Sequence, residues 1–317
     1  MAASGDLFLA FTNAIFHNKR HRFVTAVSSD SNAIKGMLCM IAGTFLLTTQ
    51  DAITKWLTAD FHAGEILFYR GIWMFPVLAV LIHLNGGVTI LRLNQPKGVM
   101  LRSIAALGAS LFVTIALINL PLAETMALVF SAPLLLTAAS PFLLREPVGW
   151  HRWLAVLVGF LGVLIMIQPG VEGFNGWVIF AILAAVSSAS RDLITRRLGT
   201  ADSAVTVMFY TSVVALIAGT VTLPFGTHMP TVQQWGWFIL GGILVTFAHL
   251  LVVMAFQLTE GVIVAPLKYL SLIWSAIIGY LVWGDIPGPL KFVGAALVVG
   301  AGLFILYRET RLHRARM

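Results

Sequence analysis

Ten runs of mostly apolar residues divide the chain: 36–57, 65–84, 99–119, 122–143, 150–168, 176–195, 204–224, 235–258, 261–283 and 288–307. An α-helix needs roughly 20 residues to cross the hydrocarbon core of a bilayer, and each run is close to that length. The connections are short and carry turn and breaker residues: Asn85-Gly86-Gly87, Pro121, Pro147, Gln168-Pro169-Gly170, Pro224-Phe225-Gly226 and Gly284-Asp285-Ile286-Pro287. None has room for a soluble domain. The pattern predicts an all-α integral membrane fold of ten transmembrane helices. Before the first span, Leu7–Phe16 is apolar but too short to cross, and Lys19-Arg20-His21-Arg22 follow it. A signal peptide has its charges on the other side of the apolar region, so residues 1–33 read as an N-terminal cytoplasmic segment, interfacial or irregular, without an assigned function.

Composition agrees with that reading. The chain is 59% hydrophobic and 10% charged, with mean hydropathy +0.92, whereas soluble domains carry about 25% charged residues. A soluble globule of this size could not cover its surface with so few polar groups, and disorder requires the opposite composition. The net charge of +7 and pI near 9.9 invite a nucleic-acid reading until the charges are placed. Sixteen of the 20 basic residues fall on one side of the predicted topology, in the segments holding Lys19 to Lys35, Arg92 to Arg102, Arg145 with Arg152, Arg191 to Arg197, and Arg308 to Arg316. Lys and Arg stay on the cytoplasmic side, so both termini are expected inside and no nucleic-acid partner is needed. The single Cys39 lies in an apolar run, which excludes a disulfide framework or a multi-cysteine metal site. No HExxH, Walker A or GxSxG motif occurs, so neither an enzyme, a cofactor nor a metal is expected.

The chain also matches itself. Asp51-Ala52-Ile53-Thr54-Lys55-Trp56-Leu57 aligns with Asp192-Leu193-Ile194-Thr195-Arg196-Arg197-Leu198 at an offset of 141, and the same offset pairs Phe68-Tyr69 with Phe209-Tyr210. Glu146 and Asp285 each close a span at an offset of 139. Five spans per copy is an odd number, so the second copy enters the membrane from the opposite face. The expectation is two inverted five-helix repeats, an architecture that can open a midplane site to either side and so points to a transporter.

These residues resemble a known family. The five-plus-five layout, with Asp51 to Lys55, Phe68-Tyr69-Arg70, Ala123-Glu124-Thr125-Met126-Ala127, Pro133-Leu134, Glu146-Pro147, Ala265-Pro266-Leu267-Lys268-Tyr269-Leu270 and Asp285 followed by Gly294, Gly300 and Gly302, is similar to the EamA-type members of the drug/metabolite transporter superfamily. The resemblance covers about residues 34–308, with repeats at 34–170 and 176–308 and a basic cytoplasmic tail at 309–317. Among its members, the Phe-Tyr-Arg and Ala-Pro-x-Lys-Tyr elements look most like bacterial uptake carriers, which include riboflavin and S-adenosylmethionine importers. It implies a multi-pass protein of the bacterial inner membrane, monomeric or homodimeric, whose partners are a small-molecule substrate and the bilayer.

Charges within spans are costly and default to function. Lys268 lies about 8 residues into its span, near the midplane, after the helix-loosening Pro266; it faces either a polar cavity with substrate or a structural ion pair. Arg70 is shallower and could clamp a carboxylate or stack on a ring, or pair with Glu65 or Asp51. Tyr69, Tyr210, Tyr269, Trp73 and Trp274 are candidates for a cage around a flat substrate, against the alternative of packing and interfacial roles. Asp51 with Lys55 and Asp192 with Arg196 have the spacing of ion pairs on one helix face and could close helix ends or act as gates. Glu124 and Glu260 sit where an acid favours a helix dipole. His249 is a packing histidine or a proton relay, and Ser187, Ser188 and Ser190 allow close helix approach. Two intramembrane cations disfavour polycationic substrates. The expected function is alternating-access uptake of riboflavin or a similar planar vitamin or nucleoside-like compound, with S-adenosylmethionine or an amino-acid-like metabolite as the alternative. An integral-membrane enzyme such as a lipid-linked transferase is the reading from another class; the sequence offers no His/Asp/Glu cluster at ligand spacing for it.

Overall fold

The computed structural model describes residues 30–143, 149–168, 175–198, 202–258, 264 and 266–314. Most of the N-terminal segment, Arg145, Glu146, Pro147, Glu260 and Ala265 lie outside the described residues. Eleven α-helices make up the described chain: α1 Asp30–Leu57, α2 Ala63–Leu84, α3 Pro96–Asn119, α4 Leu122–Val129, α5 Ala132–Leu143, α6 Trp150–Ile167, α7 Val178–Leu198, α8 Ala204–Thr222, α9 Val232–Leu258, α10 Leu270–Trp283 and α11 Pro289–Arg314. Seven helical stretches are long and apolar enough to cross a membrane, and three shorter apolar helices accompany them. The protein is an all-helical, multi-pass membrane protein.

Two expected spans are not continuous helices. The run 122–143 divides at Phe130-Ser131 into α4 and α5, because Pro133 donates no backbone hydrogen bond and disfavours helical geometry in the residue before it. Ser131 takes up the loose ends: its N–H reaches Leu128 O at 3.0 Å and its carbonyl accepts from Leu134 N at 2.9 Å. In the run 261–283 a 3-10 turn, Pro266–Tyr269, precedes α10, so Lys268 sits on a tight turn rather than inside an α-helix. At the C-terminus α11 continues to Arg314, so the basic tail begins as helix.

Packing follows small residues. The most extensive helix contacts are α1 with α9, α6 with α11, α3 with α7 and α2 with α8. At the α6–α11 crossing a Cβ on Gly162 would lie 2.7 Å from Gly294 O; backbones meet there, as is common where membrane helices associate by close fit. Ser187 lies 3.1 Å from where a Gly108 Cβ would stand, giving α3–α7 the close approach expected of that serine. Around α6 and α11 the buried core contains Leu134, Val156, Val163, Met166, Val298 and Ile305. On the other side α6 exposes Leu154, Leu157, Leu161 and Leu164, a helical stripe suited to contact with lipid.

Candidate functional site

One end of the bundle carries the loops around Phe61, Leu120, Gly226 and Asp285; the other carries those around Leu91 and Asp202. At the first end, ion pairs join the first half of the chain to the second. The Lys55 ammonium donates to Leu120 O at 2.7 Å, stands 3.8 Å from Asp285 and lies 5.2 Å from the Trp283 ring centroid. Lys291 Nζ donates to Glu124 Oε2 at 2.6 Å. The expected Asp51–Lys55 pair is not formed. Lys55 belongs to the last turn of α1 and reaches forward to the loops, whereas Asp51 turns inward toward Arg70. Beside these pairs Glu65, fully buried, closes a capping box with His62 and accepts from His228 N at 2.5 Å, tying the 226–228 loop to the start of α2.

Removing Lys291 would leave the almost fully buried Glu124 carboxylate without its partner, and losing one member of a buried pair costs about 3–5 kcal/mol; with Lys291 one-third exposed, about 2 kcal/mol is expected. K291M should therefore lower the melting temperature of the detergent-solubilised protein clearly more than K291M combined with E124Q does.

The interior polar cluster is centred on Arg70. Its Nη2 donates to Ser110 Oγ at 2.9 Å, and its Nη1 stands 3.4 Å from Thr54 Oγ1. A guanidinium only donates, so the Gln50 amide turns its oxygen toward Arg70, accepting from Nη1 at 2.7 Å and from Thr54 at 2.6 Å while its nitrogen donates to Asp51 at 3.2 Å. The buried Arg70 Nε has no hydrogen-bond partner among the described residues. A Cβ on Gly242 of α9 would stand 2.8 Å from Arg70 O, so the second half packs against this cluster. Of the two structural partners considered for Arg70, Asp51 is the one in its field; Glu65 is occupied by His62 and His228.

A second charged group lies toward the opposite end. Arg191 Nε donates to Asp192 Oδ1 at 3.0 Å, and Arg102 donates through Nε to Thr195 Oγ1 at 2.9 Å and through Nη1 to Thr211 Oγ1 at 3.1 Å. Lys268 and Arg102 also act electrostatically on Asp192. The Arg196 side chain lies outside the described residues. The charges of Arg70, Arg102, Arg191 and Lys268 all act on His249 of α9, so all four reach the region around that histidine. Four cations against Asp51 and Asp192 leave the region positively charged.

The aromatic candidates separate. Tyr69 is buried in a cluster with Phe61, Trp235 and Phe238 and donates to His228 O at 3.1 Å. Tyr210 donates to Leu91 O at 3.1 Å, at the other end of the bundle. These two rings brace loops and do not meet each other, so the structure does not assemble all five aromatic candidates into one cage. Tyr269 packs on Phe130, ring centroids 5.2 Å apart, with its hydroxyl in the space that Gly302 leaves empty. Trp274 packs edge-on against Phe45 at 5.5 Å. Trp73 Nε1, Trp274 Nε1 and the Tyr269 hydroxyl are buried without a hydrogen-bond partner among the described residues. Arg70 Nε and the Thr125 hydroxyl are in the same state, and buried donors left unpaired are costly.

Arg102 and Arg191 were missed as interior groups because both lie near span ends, where a basic residue reads as a topology signal. Arg102 nevertheless stands a full turn inside α3, followed by Ser103, which bonds the same threonine, Thr211, at 3.1 Å; that depth was the available signal.

A family model described as "EamA-like transporter family" matches residues 34–168 and again 175–307. The chain belongs to this family. A Rickettsia felis protein named S-adenosylmethionine uptake transporter is 30% identical over 89% of this chain and 97% of that protein. A riboflavin transporter of Rhizobium johnstonii is 29% identical, covering 90% and 95%, and a pseudopaline exporter of Pseudomonas aeruginosa is 25% identical, covering 84% and 94%. A solved crystal structure shares the fold with TM-score 0.59 at 20% identity, over 90% of this chain and 99% of that one. The family and its named relatives are transporters, not enzymes. This EamA-like protein is a membrane transporter of a small metabolite.

Proposed function

We propose that the protein is an alternating-access carrier for riboflavin or a similarly planar metabolite rich in hydrogen-bond acceptors, built as two inverted five-helix repeats in a bacterial inner membrane with both termini in the cytoplasm. The observation that carries the substrate class is that Arg70 Nε, Trp73 Nε1, Tyr269 OH and Trp274 Nε1 are buried donors without an acceptor among the described residues. An isoalloxazine ring offers carbonyl and ring-nitrogen acceptors, and a flat face for tryptophan. The positive interior opposes a cationic substrate.

The repeat reading draws support from helix pairing. When the halves are exchanged, α1–α9 corresponds to α3–α7 and α2–α9 to α3–α8, while α2–α8 and α6–α11 map onto themselves. Asp202 and Arg102 then mark the cytoplasmic end, and the Lys55–Asp285 and Glu124–Lys291 pairs close the outer end. Alternation between faces would break those pairs, since each joins one half to the other.

S-adenosylmethionine is the second reading. Relatives up to 30% identical carry that name, and the compound presents a carboxylate to the arginines and a purine to the tryptophans, although its sulfonium faces like charge. The deciding experiment is uptake by proteoliposomes holding the full chain, with labelled riboflavin and labelled S-adenosylmethionine offered separately. Saturable riboflavin flux, with growth rescue of a riboflavin auxotroph lacking its own importer, is expected. Flux of S-adenosylmethionine alone would replace the first reading with the second.

A further inference from the structure

Two arginines inside apolar helices are seated on hydroxyl groups rather than on carboxylates. Arg70 rests on Ser110, Thr54 and the Gln50 amide. Arg102 rests on Thr195 and Thr211. The seats correspond through the internal offset of 141, which pairs Thr54 with Thr195, Asp51 with Asp192 and position 70 with Thr211. In the first half the position on α2 is the arginine itself. In the second half that position, on α8, is a threonine that receives the arginine from α3. Each seat has one carboxylate close by, Asp51 for Arg70 and Asp192 for Arg102.

A hydroxyl fixes the direction of a guanidinium without cancelling its charge. Arg102 spends Nε and Nη1 on its threonines. A guanidinium has five N–H donors, so its Nη2 edge remains for a ligand. Arg191 adds a like charge that repels Arg102 and takes up Asp192 itself through a 3.0 Å bond. An acceptor on a passing substrate would relieve both effects. The charges of both arginines act on His249, so both seats lie within electrostatic reach of one residue of α9.

We infer that Arg102, seated on Thr195 and Thr211, is a second substrate-binding station that grips a carboxylate or carbonyl acceptor of the substrate at the Asp202 end, as Arg70 does nearer the Lys55 end. This rests on the carrier reading above. The substrate's acceptor is passed between two guanidiniums on corresponding seats, so neither end of the path leaves it without a donor. An Arg is required rather than a Lys because the planar fork, held by two hydroxyls, aims its remaining edge.

The test is half-saturation of flux from each face, measured with labelled riboflavin and labelled S-adenosylmethionine in vesicles of known orientation. R102Q is expected to raise the half-saturating concentration from the Asp202 end about tenfold, the size of one charged hydrogen bond, while that from the Lys55 end changes by less than twofold. R70Q should show the opposite asymmetry. R102K, which retains the charge and loses the fork, should resemble R102Q, and it carries the same measurement if R102Q does not fold. Equal shifts at both faces, or none, overturn the station while leaving the carrier reading intact. A wild-type protein that moves neither compound overturns the substrate reading, and the station falls with it.

Discussion

Gly294→Leu is expected to yield no folded protein in detergent, whereas Gly300→Leu, six residues along the same helix, should behave as wild type. A Cβ at position 294 would lie 2.5 Å from Gly162 O, 2.5 Å from Met166 Cγ and 3.1 Å from Met166 N. Two of those three atoms are backbone and can retreat only if α6 and α11 move apart. Reciprocally, a Cβ at Gly162 would meet Gly294 O at 2.7 Å and Val298 N at 3.1 Å. Separating the helices opens the cluster of Val156, Val163, Met166, Val298 and Ile305. Between membrane helices close packing is itself a main driving force, since lipid tails are as apolar as leucine. Inserting one extra methylene into a packed core costs about 1–3 kcal/mol, and a whole isobutyl group against backbone exceeds that range. Gly300 meets nothing within 4 Å, so a leucine there adds only lipid-facing surface. Size-exclusion profiles and melting curves of the two variants decide the matter; a G294L protein that elutes and melts like wild type would show that the helices do not cross at this point.

That contrast marks what sequence could and could not supply. Gly294, Gly300 and Gly302 stand in one apolar run and look alike there. One is a backbone contact, one faces outward, and one makes room for the Tyr269 hydroxyl. The helices themselves were legible because bilayer thickness sets their length. The turn at Pro266 was legible because proline cannot donate; Pro133 carries the same signal for the break at Phe130-Ser131, but the way Ser131 gathers the loose backbone bonds across that gap depends on the folded chain. Charge partners were the least legible. Helical spacing pairs Asp51 with Lys55, yet Lys55 finds Leu120 O and Asp285, residues remote in sequence, and Asp51 serves the Arg70 cluster. Arg70 and Lys268 stood out by their depth in apolar runs. Arg102 and Arg191 did not, since position along a helix does not tell which way a long basic side chain is drawn. The two tyrosines at equivalent positions, Tyr69 and Tyr210, were visible as repeat mates, but their use as braces for opposite loops depends on tertiary partners at His228 and Leu91.

Arg70→Gln and Lys268→Gln are each expected to cut initial flux more than tenfold, with normal amounts of folded protein in the membrane. Arg70, on α2, is held by residues of α1 and α3, and its buried Nε has no hydrogen-bond partner among the described residues. Lys268 sits on the 3-10 turn between Pro266 and Tyr269, where Ser271 Oγ donates to its carbonyl at 2.5 Å, and its charge acts on both Asp192 and His249. A hydrogen bond to a charged group contributes about 1.5–3 kcal/mol, which is roughly ten- to hundredfold in rate when the bond is made to the moving substrate. Glutamine preserves polarity and much of the volume, so packing alone would give a far smaller loss. Arg70→Lys separates charge from shape: it keeps the cation but cannot reach Ser110, Thr54 and Gln50 at once, and it should recover less than a tenth of the lost flux. The double variant then says how the two cations work. If they grip different parts of one substrate at the same moment, their losses multiply; if they grip the same acceptor, removing the second costs little once the first is gone. Undiminished flux in both single variants would move the substrate site away from Arg70 and Lys268 altogether.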